Sequence, residues 1–179
     1  MFLTGVTAIK YEAFSDCENL LSVVIPESVQ EISKNAFRGC ELLSGVQILG
    51  KSTTVGERAF MNCNIENLTH PCLTIKNGLA IESSKVLYFT KPAEKIVIPD
   101  GITEIEEQAF QECKMVSVVI PKSVKKIGWV SFVRCKKLRS IDFGGTVAEW
   151  QSMEKDDFWN DEVPAKCVKC SDGETKLAD

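Results

Sequence analysis

The chain has 179 residues, 44% of them hydrophobic and 26% charged, with a formal net charge of −4 and a single histidine. That size and apolar content suffice for one domain with a sizeable core, while the mildly negative charge argues against a dedicated nucleic-acid binder, which would present a basic face. No stretch approaches the roughly 20 apolar residues that a membrane-spanning helix needs, and eight cysteines in a chain this large and apolar do not mark a small disulfide scaffold.

Read in chain order, the sequence repeats itself. "FLTGVTAI" (2–9) aligns with "IPDGITEI" (98–105), so the first residues are expected to lie inside a strand of a repeat already under way, with no lid over that end. An exposed end of this kind invites pairing with another chain. Ala13-Phe14 and Cys17 follow, then "LLSVVIP" from Leu20, whose alternating apolar residues predict a short strand with one buried face. Pro26 stops that strand, because it has no N–H to continue a ladder. The unit then recurs. Phe14, Phe37, Phe60, Phe110 and Phe132 are each preceded by Ala or Ser and followed three residues later by Cys17, Cys40, Cys63, Cys113 and Cys135. Ile9, Ile32, Val55, Ile105 and Ile127 stand five residues before each Phe. Strand-like blocks recur as "LSGVQIL" from Leu43, "MVSVVIP" from Met115 and "LRSIDF" from Leu138. The phrase "VVIPESVQEI" (23–32) returns as "VVIPKSVKKI" (118–127), changed only at polar positions. One such unit cannot close a core alone, so the units must stack and share a column of Ile, Phe and Cys.

The Phe spacing of 50 between Phe60 and Phe110, against 22 or 23 elsewhere, holds an insertion. Leu73/Ile75 and Leu79/Ile81 alternate around Asn77-Gly78, a type I′ turn signal, and "ESSK" offers a second turn before Val86 and Tyr88. Residues 72–90 are therefore expected to form a small antiparallel hairpin or meander. After Phe143, Thr146 followed three residues later by Glu149 reads as a capping box. It starts a short helix whose Val147, Trp150 and Met153 share a face and would lid the core. "VPAKCVKC" reads as a final strand and "SDGETKLAD" as a polar tail. The expected organisation is a solenoid over 1–143 and a C-terminal cap module over 144–179.

These residues resemble the BspA-like (Treponema-type) class of the leucine-rich repeat family, with its phrase L-x-x-I-x-I-P-x-S-V-x-x-I-x-x-x-A-F-x-x-C, over roughly residues 2–143. The insertion and the ending "IDFGGTVAEWQSM…FWNDEVPAKCVKCSDG" are similar to modules common in that class. The resemblance implies a right-handed leucine-rich repeat solenoid, rich in β-structure with short helical or 3₁₀ turns and with parallel strands on its concave side. It also implies a non-enzymatic, extracellular or cell-surface bacterial protein that binds host proteins or glycans in adhesion. The start "MFLTGVTAIK" has no signal-peptide pattern, so the chain is expected to be a segment of a longer exported protein, with a cytoplasmic location as the alternative.

The functional surface is expected on the outward strand positions Val24, Gln47, Thr69, Val97, Val119 and Asp142, with Ser22, Gly45, Asn67, Ser117 and Ser140 beside them. The other candidates each have a plainer reading. The five repeat cysteines fit free, buried thiols better than a metal or redox array, because side chains on parallel neighbouring coils point the wrong way for an unstrained disulfide. Cys167 and Cys170 form one C-x-x-C without the second ligand pair that zinc needs, leaving a structural role, a local disulfide or adventitious metal. His70 falls at an apolar repeat position, with Cys63 and Cys72 nearby in sequence. A core histidine is the plainer reading there, and a metal site the sharper one. The lysines at 122, 125, 126, 136 and 137 read as a solvated basic face, and "EKDDFWNDE" as a solvated acidic loop without calcium-loop spacing. No cofactor and no catalytic residue is expected. The partner would be a protein or glycan, with self-association through the open start as a structural alternative.

Overall fold

The computed structural model describes residues 5–71 and 73–177; Phe2, where the phrase "FLTGVTAI" begins, and Cys72, two residues after His70, lie outside them. The chain forms two compact units, Met1–Glu82 with Leu87–Pro92 and Ser83–Val86 with Ala93–Asp179.

In the first unit each coil contributes a four-residue strand and a two-residue strand. The strands are β1 (Ala8–Ile9), β2 (Ser22–Ile25), β3 (Glu31–Ile32), β4 (Gly45–Ile48) and β5 (Thr54–Val55). β2 pairs in parallel with β4, while β1, β3 and β5 form a second parallel ladder. This second ladder, built around the Ile five residues before Phe, is too short to leave an alternating pattern in the sequence. β6 (Leu68–His70), β7 (Leu73–Lys76) and β8 (Leu79–Glu82) then form an antiparallel meander that begins at Leu68, ahead of the expected 72. Asn77 and Gly78 both have positive φ, 52° and 73°, as a type I′ turn requires. β9 (Lys85–Phe89) supplies residues to both units.

The second unit contains β10 (Lys95–Val97), β11 (Glu104–Ile105), β12 (Ser117–Ile120), β13 (Lys126–Ile127), β14 (Ser140–Phe143), α1 (Val147–Ser152), β15 (Glu154–Lys155), β16 (Cys167–Cys170) and β17 (Gly173–Lys176). β10, β12, β14 and β16 are parallel in that order, and β17 closes this sheet antiparallel to β16. Residues expected as a polar tail thus form a strand. The turn at Ser171-Asp172 lets it turn back and pair with β16. Lys85 and Val86 of β9, then β11, β13 and β15, make the other parallel ladder. Both ladders continue past residue 143.

A third cross-coil ladder runs through the turns. The Phe14 N–H donates to Ala36 O, Phe37 N–H to Ala59 O, Phe110 N–H to Ser131 O and Phe132 N–H to Trp159 O, all at 2.8 Å. Each of these coils holds two residues at positive φ, two before and two after the Phe position: Glu12 and Asp16, Asn35 and Gly39, Arg58 and Asn62, Gln108 and Glu112, Val130 and Arg134. The reversals aim backbone N–H groups at the next coil, so the turns are hydrogen-bonded edges, and no 3₁₀ helix occurs among the described residues. Inside, Phe14, Phe37 and Phe60 stack at 5.1 and 5.3 Å, and in the second unit Phe110 stacks on Phe132 at 5.0 Å.

Close coil spacing explains Gly128. A Cβ there would fall 2.7 Å from the Glu107 backbone nitrogen and 3.0 Å from Ile105 O. Gly128→Ala must push two coils apart and is expected to cost about 1–3 kcal/mol, the usual overpacking range. The check is a lower urea midpoint with an unchanged denaturant slope.

The coil that follows α1 carries other residues at the repeat's inward positions. Lys155 stands in register with Ile127. Its ammonium donates to Trp150 O at 2.6 Å and Met153 O at 2.9 Å, capping the end of α1 and lying 5.0 Å from the Trp150 ring. Trp159 occupies the small-residue position before Phe and meets Phe132 edge-to-face at 5.9 Å. Trp150 in turn meets both Trp159 and Phe143. The capping box is present: Thr146 Oγ1 accepts from Glu149 N–H at 3.2 Å, and the Glu149 carboxylate accepts from Thr146 N–H at 2.8 Å. That backbone hydrogen bond holds the Glu149 carboxyl below its ordinary value.

Candidate interaction surface

Side chains alternate across a strand, which decides what this protein presents outward. In the second unit Ile96, Val118, Ile141 and Val168 are buried. Their neighbours Val97, Val119, Asp142 and Lys169 therefore form one outward row in strict register, Val97 opposite Val119, Val119 opposite Asp142 and Asp142 opposite Lys169. Val97 is 51% exposed. Beside it runs Lys95, Ser117 and Ser140, where the Ser140 hydroxyl donates to Asp142 at 3.4 Å. In the first unit Val24 stands opposite Gln47 and Ser22 opposite Gly45. Thr69 departs from the expected row: it lies opposite Thr74 in the antiparallel meander, because β6 joins the insertion instead of β4. Asn67 accepts the Asn77 N–H at 3.4 Å and so braces that meander's turn.

The repeat cysteines are free thiols. Cys40, Cys63, Cys113 and Cys135 are buried, and Cys17 and Phe14 of the first coil are half-buried. Three S–H groups donate to the Phe carbonyl one coil back: Cys40 to Phe14 O at 2.9 Å, Cys63 to Phe37 O at 3.1 Å and Cys135 to Phe110 O at 3.0 Å. Cysteine is small enough for the column and still supplies a donor to a carbonyl turned inward. Burial pushes Cys113 up to about 11 and Cys135 up to about 12. Contact with Cys40, added to burial, pushes Cys63 well above the ordinary thiol range.

A pH effect follows with a definite sign. Above the ordinary thiol value of 9.0 the unfolded chain loses protons that the folded chain keeps, so stability falls as pH rises toward the folded values. Urea midpoints taken at about pH 8 and about pH 10 are expected to drop for the native chain. A Cys113→Ala, Cys135→Ala variant should show a visibly smaller drop.

His70 is buried, as its apolar repeat position implies, and its Nε2–H donates to Gly50 O at 2.8 Å. Among the described residues no group of three or more His, Cys, Asp or Glu side chains is disposed to hold a metal ion. Cys167 and Cys170 both lie on β16 and are unbridged; Cys167 S–H donates to Glu174 at 3.5 Å. Lys126 is spoken for by Glu154 at 2.9 Å. Among the described residues no helix is long and apolar enough to cross a membrane.

Parallel coils with an Ile–Phe–Cys column and a strand face turned outward define a leucine-rich repeat β-solenoid, a class that uses extended surfaces for protein interaction. The chain belongs to the BspA-type leucine-rich repeat family, whose repeat matches residues 7–81 and 81–158 in six copies. No curated protein sequence matches the chain. Among solved structures it is similar to the pneumococcal vaccine antigen PcpA (17% identity, TM-score 0.49, covering 67% of this chain and 38% of that one). It is also similar to a leucine rich cell surface protein from Faecalibacterium prausnitzii (17% identity, TM-score 0.43, 81% of this chain and 65% of that one). A leucine-rich repeat protein from Eubacterium ventriosum matches at 14% identity and TM-score 0.44, over 93% of this chain and 71% of that one. The chain spans less than two thirds of the length of the first two.

Proposed function

We propose that the chain is a non-catalytic binding module of an exported or surface-attached bacterial protein, and that its outward strand rows contact a partner protein or a glycan. The observation that carries this reading is the row Val97, Val119, Asp142 and Lys169, in register on four parallel strands and with Val97 half-exposed. Apolar side chains beside a carboxylate and an ammonium give a partner both contact area and orientation. Val24 and Gln47 present the corresponding positions in the first unit. Thr69, on the meander, is assigned a peripheral part. Residues 144–179 act as the cap that ends the repeat, through Trp150, Lys155 and Trp159. The test is capture of host extract proteins by immobilised chain, compared with the Val119→Lys and Val24→Lys variants. Each variant is expected to lose most captured protein while keeping the native thermal midpoint. Unchanged capture by both variants would sink the reading.

A second reading rests on the first coil, where Phe14, Cys17 and Leu20 are half-buried while Phe37, Cys40 and Leu43 one coil on are fully buried. Self-association through that coil would cover them. Sedimentation across concentration tests it: mass should rise with concentration, and Phe14→Glu should abolish the rise.

A further inference from the structure

A groove of about 660 Å³ opens on the last coil. Its wall includes Phe158, Trp159, Val163 and Leu177, and its rim carries Asp157 and Asp161. Phe158 is 65% exposed, the highest exposure of any large apolar side chain among the described residues. It takes the first positive-φ position of its coil, with φ 56°, where other coils place Glu12, Asn35, Arg58, Gln108 and Val130. A bulky apolar residue is disfavoured in that backbone region and gains nothing there from water. No packing requirement of the coil explains it. Trp129, on the preceding coil, is 45% exposed and in the adjoining turn.

The charges around the groove are unevenly answered. Asp156 lies 3.8 Å from Lys126, and Glu162 is paired with Arg134 at 3.2 Å and Lys136 at 3.8 Å. The Lys155 ammonium is held by two backbone carbonyls at the end of α1. Asp157 and Asp161 have no ion-pair partner among the described residues, although Asp161 Oδ1 accepts the Glu162 N–H at 3.0 Å. The lining holds four carboxylates against Lys155 and Lys166. An aromatic face next to carboxylates that no cation pairs with is the combination that recognises a guanidinium or ammonium on a short apolar stem.

We propose that this groove docks a basic, partly apolar peptide segment of a partner protein. An arginine or lysine meets Phe158 and the carboxylates of Asp157 and Asp161, and an aliphatic neighbour packs on the Trp159 and Val163 wall. This contact is separate from the outward strand rows, so Val119→Lys leaves it unchanged.

The experiment uses the full chain. A random heptapeptide library is panned on it, with counter-selection on the Phe158→Ser variant, and the enriched peptides are synthesised and titrated by fluorescence anisotropy. The expected winners carry Arg or Lys beside Leu, Ile or Phe. Their affinity should fall at least about fivefold for Phe158→Ser, and by a similar factor for the Asp157→Asn, Asp161→Asn double variant, as loss of ring and charge contacts predicts. It should also weaken as salt is raised, because rim charges are screened. All three substituted side chains are exposed, so the double variant decides the matter should Phe158→Ser misfold. No enrichment over the counter-selected variant, acidic or uncharged winners, or saturation of the same groove by the neutral oligosaccharide maltoheptaose would each overturn the proposal.

Discussion

Phe37→Ala is expected to lower the free energy of unfolding by about 3–5 kcal/mol, the range for truncating a buried aromatic. The ring is fully buried, with Phe14 stacked on one side at 5.1 Å and Phe60 on the other at 5.3 Å. The substitution therefore removes two ring contacts and leaves a cavity that neighbouring coils cannot close, since their carbonyls and N–H groups are tied across it. Phe14→Ala should cost distinctly less, because Phe14 is half-buried and has, among the described residues, a ring neighbour on one side. All three tryptophans, Trp129, Trp150 and Trp159, lie in the second unit. In a repeat fold each coil leans mainly on its neighbours, so damage at Phe37 should appear first in far-UV circular dichroism. The tryptophan fluorescence transition should shift less. Coincident shifts of equal size would show that the two units unfold as one.

Trp159→Ala is expected to cost a similar 3–5 kcal/mol and to reverse that order, moving the fluorescence transition first. Trp159 covers the last Phe ring at 5.9 Å and joins Trp150 at 5.8 Å, so its loss opens the end of the column to water. A Trp159→Phe variant, which keeps an aromatic ring, should recover a good part of the loss. A fluorescence midpoint within about 0.5 kcal/mol of native, the range of neutral surface changes, would show that the column ends elsewhere.

The sequence made the coil legible because Ile, Phe and Cys each recur at one fixed offset, and within each unit the Phe rings stack. The capping box at Thr146 and Glu149 and the Asn77-Gly78 turn were equally readable, since each is local chemistry within four residues. Three things were not. The two-residue strands around Ile9, Ile32 and Val55 are too short to alternate. The positive-φ positions accept Glu, Gln, Arg, Val and Phe as well as Asn and Gly, so composition does not mark them. The inward positions that Trp159 and Lys155 fill follow from cross-coil register. For the candidate surface, strand alternation puts Val97, Val119 and Asp142 on one side, and the parallel pairing sets them opposite one another. Alternation misplaced Thr69, because a three-residue strand can serve the solenoid or the meander and only pairing decides. Phe158 is not marked by the sequence, because it sits in an otherwise acidic run and its exposure is a property of the turn.

One column of charges limits how such a protein can grow. Lys85, Glu104, Lys126 and Glu154 stand opposite one another in successive parallel strands, with Lys85 to Glu104 at 2.7 Å and Lys126 to Glu154 at 2.9 Å. Like charges directly opposite are unfavourable in a sheet. A gene rearrangement that duplicated or deleted a single coil in this region would set lysine against lysine or glutamate against glutamate. Copying coils two at a time would keep plus next to minus along this row.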